Sequence, residues 1–563
     1  MKKLTRRDFL RTSALTGAAA ALAGTMPLAA SAAAPEEENC LNAIKSLGNK
    51  KAIEMVSVQL APGRLIGFED NGLYTFRGVP YATAKRFQSP VPVTSYQNGW
   101  QLALDYGPVS PQPSCFSSTA TPNSAEFMTP SNGTADMVGN ENCQYLNVWT
   151  SSLTSHKPVI VFFHGGGMTS GASTELSYYT GEFFARRQDA VFVSVNHRLN
   201  VLGYLDLSEY GPEYENSAIA GLDDCVVALQ WVHDNIAKFG GDPDNVTILG
   251  QSGGGIKVST LACMSNTVGL FNKVFMMSGM FSNSSKEDAL ASTKRLVDYL
   301  GLKPEEVVEK LTTMDYESLY RASSAARCSH TAFYGTGTFE TPMIDKDGKI
   351  NPYAAQRTWI IGATYSEFNS NSSPLIYNQD HDSYLPDITD EIAADRLRQR
   401  YGDKTDQIIA AYRKAYPTHK LGEALFLTTS RSGGLSRWGY IDPENGYLAP
   451  MARAGMKMYN YVVSYTMPYF GGQVMHHTGD IPFWFNSIDT IMYQMYGDEV
   501  NARHVADTMS SSLQAFMETG DPSLRNLEWK PYTTGEHNTM VFDTKSACKK
   551  DFDTELFNLL MSK

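Results

Sequence analysis

Val246-Thr247-Ile248-Leu249-Gly250-Gln251-Ser252-Gly253-Gly254-Gly255 joins a short β-branched run to a serine set among glycines. The apolar run reads as a buried strand, and the glycines allow a sharp turn from that strand into a helix. A serine hydroxyl is nearly unreactive at neutral pH, so a catalytic one must be held out at such a turn, where a base can reach it. The pattern G-x-S-x-G therefore nominates Ser252 as a nucleophile. A five-residue pattern also arises by chance in a long chain, so the rest of the sequence has to supply the base, the acid and the oxyanion donors.

Outward from this stretch, strand and helix signals alternate. Val159-Ile160-Val161-Phe162-Phe163, Val191-Phe192-Val193-Ser194-Val195 and Val274-Phe275-Met276-Met277 are further continuous apolar runs, the mark of strands buried on both faces. Between the second of these and the opening stretch, Leu222, Val226, Leu229, Val232 and Ile236 recur at helical steps across residues 219–239. Residues 51–80 read as an antiparallel opening, residues 359–362 and 458–465 as later strands, and residues 502–517 as a helix stopped by Gly520-Asp521-Pro522. The class is α/β: a mostly parallel central sheet covered by helices on both faces, with functional loops at the carboxyl ends of the strands. Residues 369–374 and 430–434 read as surface loops or lids.

The chain begins with an address. Lys2, Lys3, Arg6, Arg7 and Arg11 precede an Ala/Leu-rich stretch over residues 10–28, and Ala30-Ser31-Ala32 offers a cleavage site. Thr5-Arg6-Arg7-Asp8-Phe9-Leu10-Arg11 resembles a twin-arginine signal, so residues 1–32 are expected to direct export from a bacterial cytoplasm to the periplasm, the cell surface or the medium. Residues 33–50 would form an extension and residues 51–563 one domain. No later segment offers eighteen apolar residues in a row, and membrane residence after signal removal is not expected. The 563-residue chain carries a formal charge of -12, which falls to about -16 without the signal, a poor match to nucleic acid. Seven cysteines are too few for a disulfide scaffold. Cys115 and Cys143 bracket a segment rich in Ser, Thr, Asn and Pro, where either a bridge or two free thiols would fit, and Cys225 and Cys263 read as small core residues. Composition does not fix the oligomeric state.

Acyl transfer through serine also needs donors for the oxyanion that forms on the attacked carbonyl. His164-Gly165-Gly166-Gly167 follows a buried strand, and an HGGG-type turn donates backbone N–H groups together with the residue after the nucleophile, which nominates Gly166, Gly167 and Gly253. In elbow-type serine enzymes the acid and then the histidine follow the serine. Glu367 stands five residues beyond the run at 359–362, although the ordinary reading of a single loop glutamate is a solvated surface group. Of the downstream histidines, His504 falls on a helix face, while His476 and His477 lie in a glycine-containing loop after a strand.

Longer motifs narrow these choices. Phe76-Arg77-Gly78-Val79-Pro80-Tyr81-Ala82, Arg86-Phe87, Glu141-Asn142-Cys143-Gln144-Tyr145-Leu146-Asn147-Val148-Trp149, Asn196-His197-Arg198 with Leu202-Gly203-Tyr204, residues 228–243, and Phe516-Met517-Glu518-Thr519-Gly520-Asp521-Pro522 with Trp529-Lys530-Pro531-Tyr532 together resemble the type-B carboxylesterase and cholinesterase-like family. The resemblance, over residues 55–545, implies an α/β-hydrolase fold with long lid and gorge insertions. It also implies a serine esterase that works through an acyl-enzyme on small-molecule esters without a metal or organic cofactor. It makes Glu367 the triad acid through Gly362-Ala-Thr-Tyr-Ser-Glu367, makes His477 the base through His477-Thr-Gly-Asp480-Ile481-Pro-Phe483, and implies a Cys115–Cys143 disulfide.

Four departures stand out. Gln251 and Gly253 flank Ser252 where the family usually has glutamate and alanine, Phe368 follows Glu367 where glycine is common, and the 115–143 loop holds Phe116 and Phe127 but no tryptophan. A choline ester, which needs an aromatic face for its ammonium group, is therefore not the expected substrate; neutral apolar or aromatic esters are. Phe281 beside Met280 would suit an apolar pocket. A non-catalytic adhesion protein, an acyltransferase, or a hydrolase of amides, lactones or aromatic-acid esters are the other classes the same residues allow.

Overall fold

β-branched and aromatic runs supply the centre of the structure. The computed structural model describes residues 54–113, 137–282, 284–367, 385–427, 436–443 and 445–562. The signal, the 33–50 extension, Cys115, Phe116, Phe127, Phe368 and the loops at 369–374 and 430–434 lie outside the described residues.

Among the described residues thirteen strands form one sheet. They are β1 Glu54–Leu60, β2 Gly63–Asp70, β3 Leu73–Pro80, β4 Trp100–Leu102, β5 Tyr145–Thr150, β6 Lys157–Phe163, β7 Val191–Val195, β8 Gly241–Gln251, β9 Lys273–Met277, β10 Thr358–Thr364, β11 Met458–Val463, β12 Thr539–Phe542 and β13 Ala547–Lys549. The order is β1-β2-β3-β5-β7-β6-β8-β9-β10-β11-β12-β13, with β4 beside β2. Neighbours from β7 to β12 are parallel, while β1, β2, β3 and β5 pair antiparallel. Every residue of β6, β7 and β9 is buried, because a parallel strand covered on both faces has no side to give to water. At the edge, β1 instead alternates between buried and exposed residues.

Helix α1, Ala220–Asn235, buries Leu222, Leu229 and Val232. Helix α2, Gly253–Leu261, starts directly at the elbow. Helix α3, Glu499–Thr519, ends where Gly520 takes a left-handed conformation at φ 72°. The register sets the carboxyl ends of three strands level: Gly250 pairs with Phe163 of β6 and with Met276 of β9. The turn after β6, the serine after β8 and the loops after β9, β10 and β11 therefore open on the same edge of the sheet, where ligands of open α/β sheets bind.

Cys143 is a fully buried thiol with no bridge to another described cysteine, and its expected partner Cys115 lies outside the described residues. Burial first, and then the negative charge of Asp224, push that thiol well above its usual range, so it behaves as a small core group. Cys225 and Cys263 are buried as expected.

A buried charge cluster braces the segment that leads to Glu367. His419 Nδ1 lies 2.6 Å from Glu423 and Nε2 lies 2.9 Å from Asp543, and the ring stacks on Tyr365 with centroids 5.6 Å apart. Thr466 and Ser464 donate further hydrogen bonds to the two carboxylates. Burial opposes a charged imidazole here, but the hydrogen bonds and charges of Asp543 and Glu423 outweigh it and raise His419 to about 9. A folded-state value above the unfolded one of 6.5 favours the fold below that pH, and the benefit is lost as pH rises through about 9. Relative to His419→Gln, the wild-type protein should be more stable at pH 6 by about 2 to 3 kcal/mol beyond its margin at pH 10. Urea unfolding midpoints at the two pH values measure this, and an equal margin at both would contradict the bridge.

Candidate active site

Ser252 stands between the end of β8 and the start of α2 at φ 56° and ψ -119°, a backbone state that costs a non-glycine residue about 1 to 3 kcal/mol. Its N–H is held by Met277 O at 2.9 Å. The surrounding structure enforces the turn because backbone touches backbone on both sides. A Cβ on Gly253 would sit 2.0 Å from Gly167 O, and one on Gly254 would sit 2.0 Å from Phe163 O. Gly166 and Gly167 have φ of 85° and 65°, which lets the chain after β6 fold back over the elbow. A Cβ on Gly165 would meet Gln251 Oε1 at 3.0 Å and Ser252 Cβ at 3.5 Å, which places the glycine turn beside the serine.

The acid and the histidine arrive on paired loops. Ser366 N–H donates to Met475 O at 2.9 Å and His477 N–H donates to Glu367 O at 3.2 Å, so the segments after β10 and before residue 480 run side by side. The Glu367 side chain is fully buried. Its Oε1 accepts from Thr364 N–H and from Ser278 Oγ, both at 2.7 Å, and its Oε2 lies 2.5 Å from His477 Nδ1. Ser278, at φ 44° just past β9, is a partner that sequence reasoning missed, since no spacing motif marks it.

His477 keeps 17% of its side chain exposed, and its Nε2 lies 3.2 Å from Gln251 Nε2. An amide nitrogen can only donate, so this contact needs a lone pair on Nε2 and places the ring proton on Nδ1, facing Glu367. His476 points inward: its Nδ1 lies 2.8 Å from His477 O, and burial keeps the ring below the usual histidine range. Asp480, three residues past His477, is buried and accepts from Tyr461 Oη and Trp484 Nε1 at 3.3 Å. Burial and then the charge of Glu367 raise it to about 7, so near neutrality it can keep its proton and spare the site a second full negative charge. Phe281 is buried, with edge-to-face contacts to Tyr447 and Trp359. Among the described residues no group of three or more His, Cys, Asp or Glu side chains could hold a metal ion.

A mostly parallel sheet with a strained serine at a strand-to-helix elbow defines the α/β-hydrolase class. The chain belongs to the carboxylesterase family, whose model matches residues 54–559. It is 27% identical over 514 residues to the para-nitrobenzyl esterase of Bacillus subtilis (strain 168), covering 88% of this chain and 96% of that one. It is 30% identical over 513 residues to the phenmedipham hydrolase of Pseudarthrobacter oxydans, covering 86% and 94%. Among solved structures, an esterase from anaerobic Clostridium hathewayi described as hydrolysing aliphatic aromatic polyesters superposes with a TM-score of 0.79 at 31% identity, over 90% of this chain and 99% of that one. The protein is thus a serine carboxylic-ester hydrolase. A twin-arginine translocation signal matches residues 3–23, and the protein is exported from a bacterial cytoplasm. Among the described residues no helix is long and apolar enough to cross a membrane.

The family's usual alanine after the serine cannot enter this elbow unless the glycine turn moves. Gly253→Ala should therefore lower kcat on a p-nitrophenyl ester by about 10-fold or more with little change in KM. Unchanged kcat in the folded variant would show that the two turns are not locked together.

Proposed function

We propose that Ser252 is the nucleophile, His477 the general base, Glu367 the acid that orients it, and the N–H groups of Gly166, Gly167 and Gly253 the oxyanion donors. The observation that carries this reading is the continuous polar path from Ser278 through Glu367 and His477 to the elbow residue Gln251. His477 Nε2 takes the Ser252 proton as Oγ attacks the ester carbonyl, and the negative charge that develops on that oxygen falls to the glycine N–H groups. Glu367 holds the ring in the productive tautomer and stabilises the imidazolium. His477 then returns the proton to the departing alcohol, and water repeats the cycle on the acyl-enzyme.

Substrate preference follows from what flanks the serine. An amide at Gln251 replaces the carboxylate usual in the family, and the 115–143 loop offers no tryptophan face, so a cationic alcohol group gains little here. Neutral apolar or aromatic esters are the substrates this site takes. The names of its relatives, a para-nitrobenzyl esterase and an esterase of aliphatic aromatic polyesters, support the same class.

Kinetics on p-nitrophenyl butyrate test the assignment. Ser252→Ala should abolish turnover and Glu367→Gln should cut kcat on the order of 10³- to 10⁴-fold. Retention of wild-type kcat in Glu367→Gln would overturn the choice of acid.

A carboxylate facing His477 Nε2 would favour the imidazolium, which cannot act as a base. Gln251→Glu should accordingly move the acid limb of the kcat/KM profile upward by about one pH unit. An unmoved limb would contradict the Gln251–His477 contact in solution.

A further inference from the structure

Lys257, in the second turn of α2, is fully buried five residues past Ser252. Its Nζ donates to His164 O at 2.9 Å and to Gly167 O at 3.2 Å. These two carbonyls stand at either end of the His164-Gly165-Gly166-Gly167 turn. Three of the turn's four residues lack side chains and two occupy left-handed backbone space; inside the turn Gly166 O accepts from Ser170 N–H at 3.0 Å, while the carbonyls at its two ends are the ones Lys257 meets. The fourth, His164, is stacked on His197 with centroids 5.0 Å apart.

Extending the assignment of Gly166 and Gly167 as oxyanion donors, we propose that Lys257 is a positioning residue that clamps both ends of their turn and so fixes where the two N–H groups point. The third donor, Gly253 N–H, lies on the helix that carries Lys257. One rigid element thereby sets all three donors relative to Ser252. Burial pulls the Lys257 ammonium down to about 7, against the charge of Glu175. The clamp tolerates either protonation state, because a neutral amine still has two N–H bonds, one for each carbonyl. A lysine with no exposed surface is rare, and burying its amine is costly unless the amine is hydrogen-bonded. Here the hydrogen bonds go to the catalytic turn.

The test separates positioning from folding. Lys257→Met removes Nζ and keeps the length of the side chain. For the folded variant, counted by active-site titration, kcat should fall about 10- to 100-fold, somewhat less than for outright loss of one oxyanion donor. KM should stay within about threefold, because ground-state binding does not use the oxyanion site. The Ki of a trifluoromethyl ketone, whose serine adduct carries the oxyanion, should rise by the same factor as kcat falls. Unchanged kcat, or a loss of kcat without a matching rise in Ki, would overturn the clamp. Should Lys257→Met not fold, a crystal structure of the wild-type enzyme with that ketone decides the matter. Nζ within hydrogen-bond distance of both carbonyls while the oxyanion sits on Gly166 and Gly167 N–H supports the clamp, and Nζ released from either carbonyl overturns it. If the wild-type adduct instead places its oxyanion elsewhere, the donor assignment fails on its own account.

Discussion

The site depends on close contact between two stretches of backbone. Carbonyl oxygens at Phe163 and Gly167 occupy the space where side chains of Gly254 and Gly253 would otherwise stand, each 2.0 Å from the absent Cβ. No other amino acid fits at either place without displacement of the chain, so the first turn of α2 and the turn after β6 are fixed relative to each other. The strained φ of Ser252 follows from the same contact, because a serine held between a strand end and a helix that both abut a neighbouring turn has one way to point. Sheet register supplies the rest: β6, β8 and β9 end at the same level, and the loops that follow them have no choice but to meet.

Charge is arranged around that contact with equal economy. Glu367 is buried yet accepts from Thr364, Ser278 and His477, which compensates for its lost hydration. Asp480, close behind, is raised towards neutrality, and Gln251 beside Ser252 is an uncharged amide. The site thus holds one well-satisfied carboxylate, with an amide in place of a second acid next to Ser252. A site of that kind suits substrates without a positive charge.

Much of this was legible in the chain. The apolar runs at 159–163, 191–195 and 274–277 announced buried parallel strands because nothing polar interrupts them, and all three are strands. The G-x-S-x-G pattern and the glycine turn were readable because glycine requirements are local. Contacts across long separations were not. Ser278 reaches Glu367 across 89 residues and Gln251 reaches His477 across 226, and no spacing rule encodes either. Lys257 sits in Gly-Gly-Gly-Ile-Lys-Val, where a charge among small and apolar residues is visible, yet only the fold shows which carbonyls it meets. Of the cysteine pairing implied by resemblance, only Cys143 falls among the described residues, buried in the core.

The central claim is that Ser252 carries the acyl group, and covalent trapping tests it most directly. Purified protein incubated with a fluorophosphonate ester, digested and analysed by mass spectrometry should carry one adduct per chain, on the peptide and at the residue Ser252, with activity lost in proportion to labelling. An adduct at another residue, or full inactivation with Ser252 unmodified, would contradict the account.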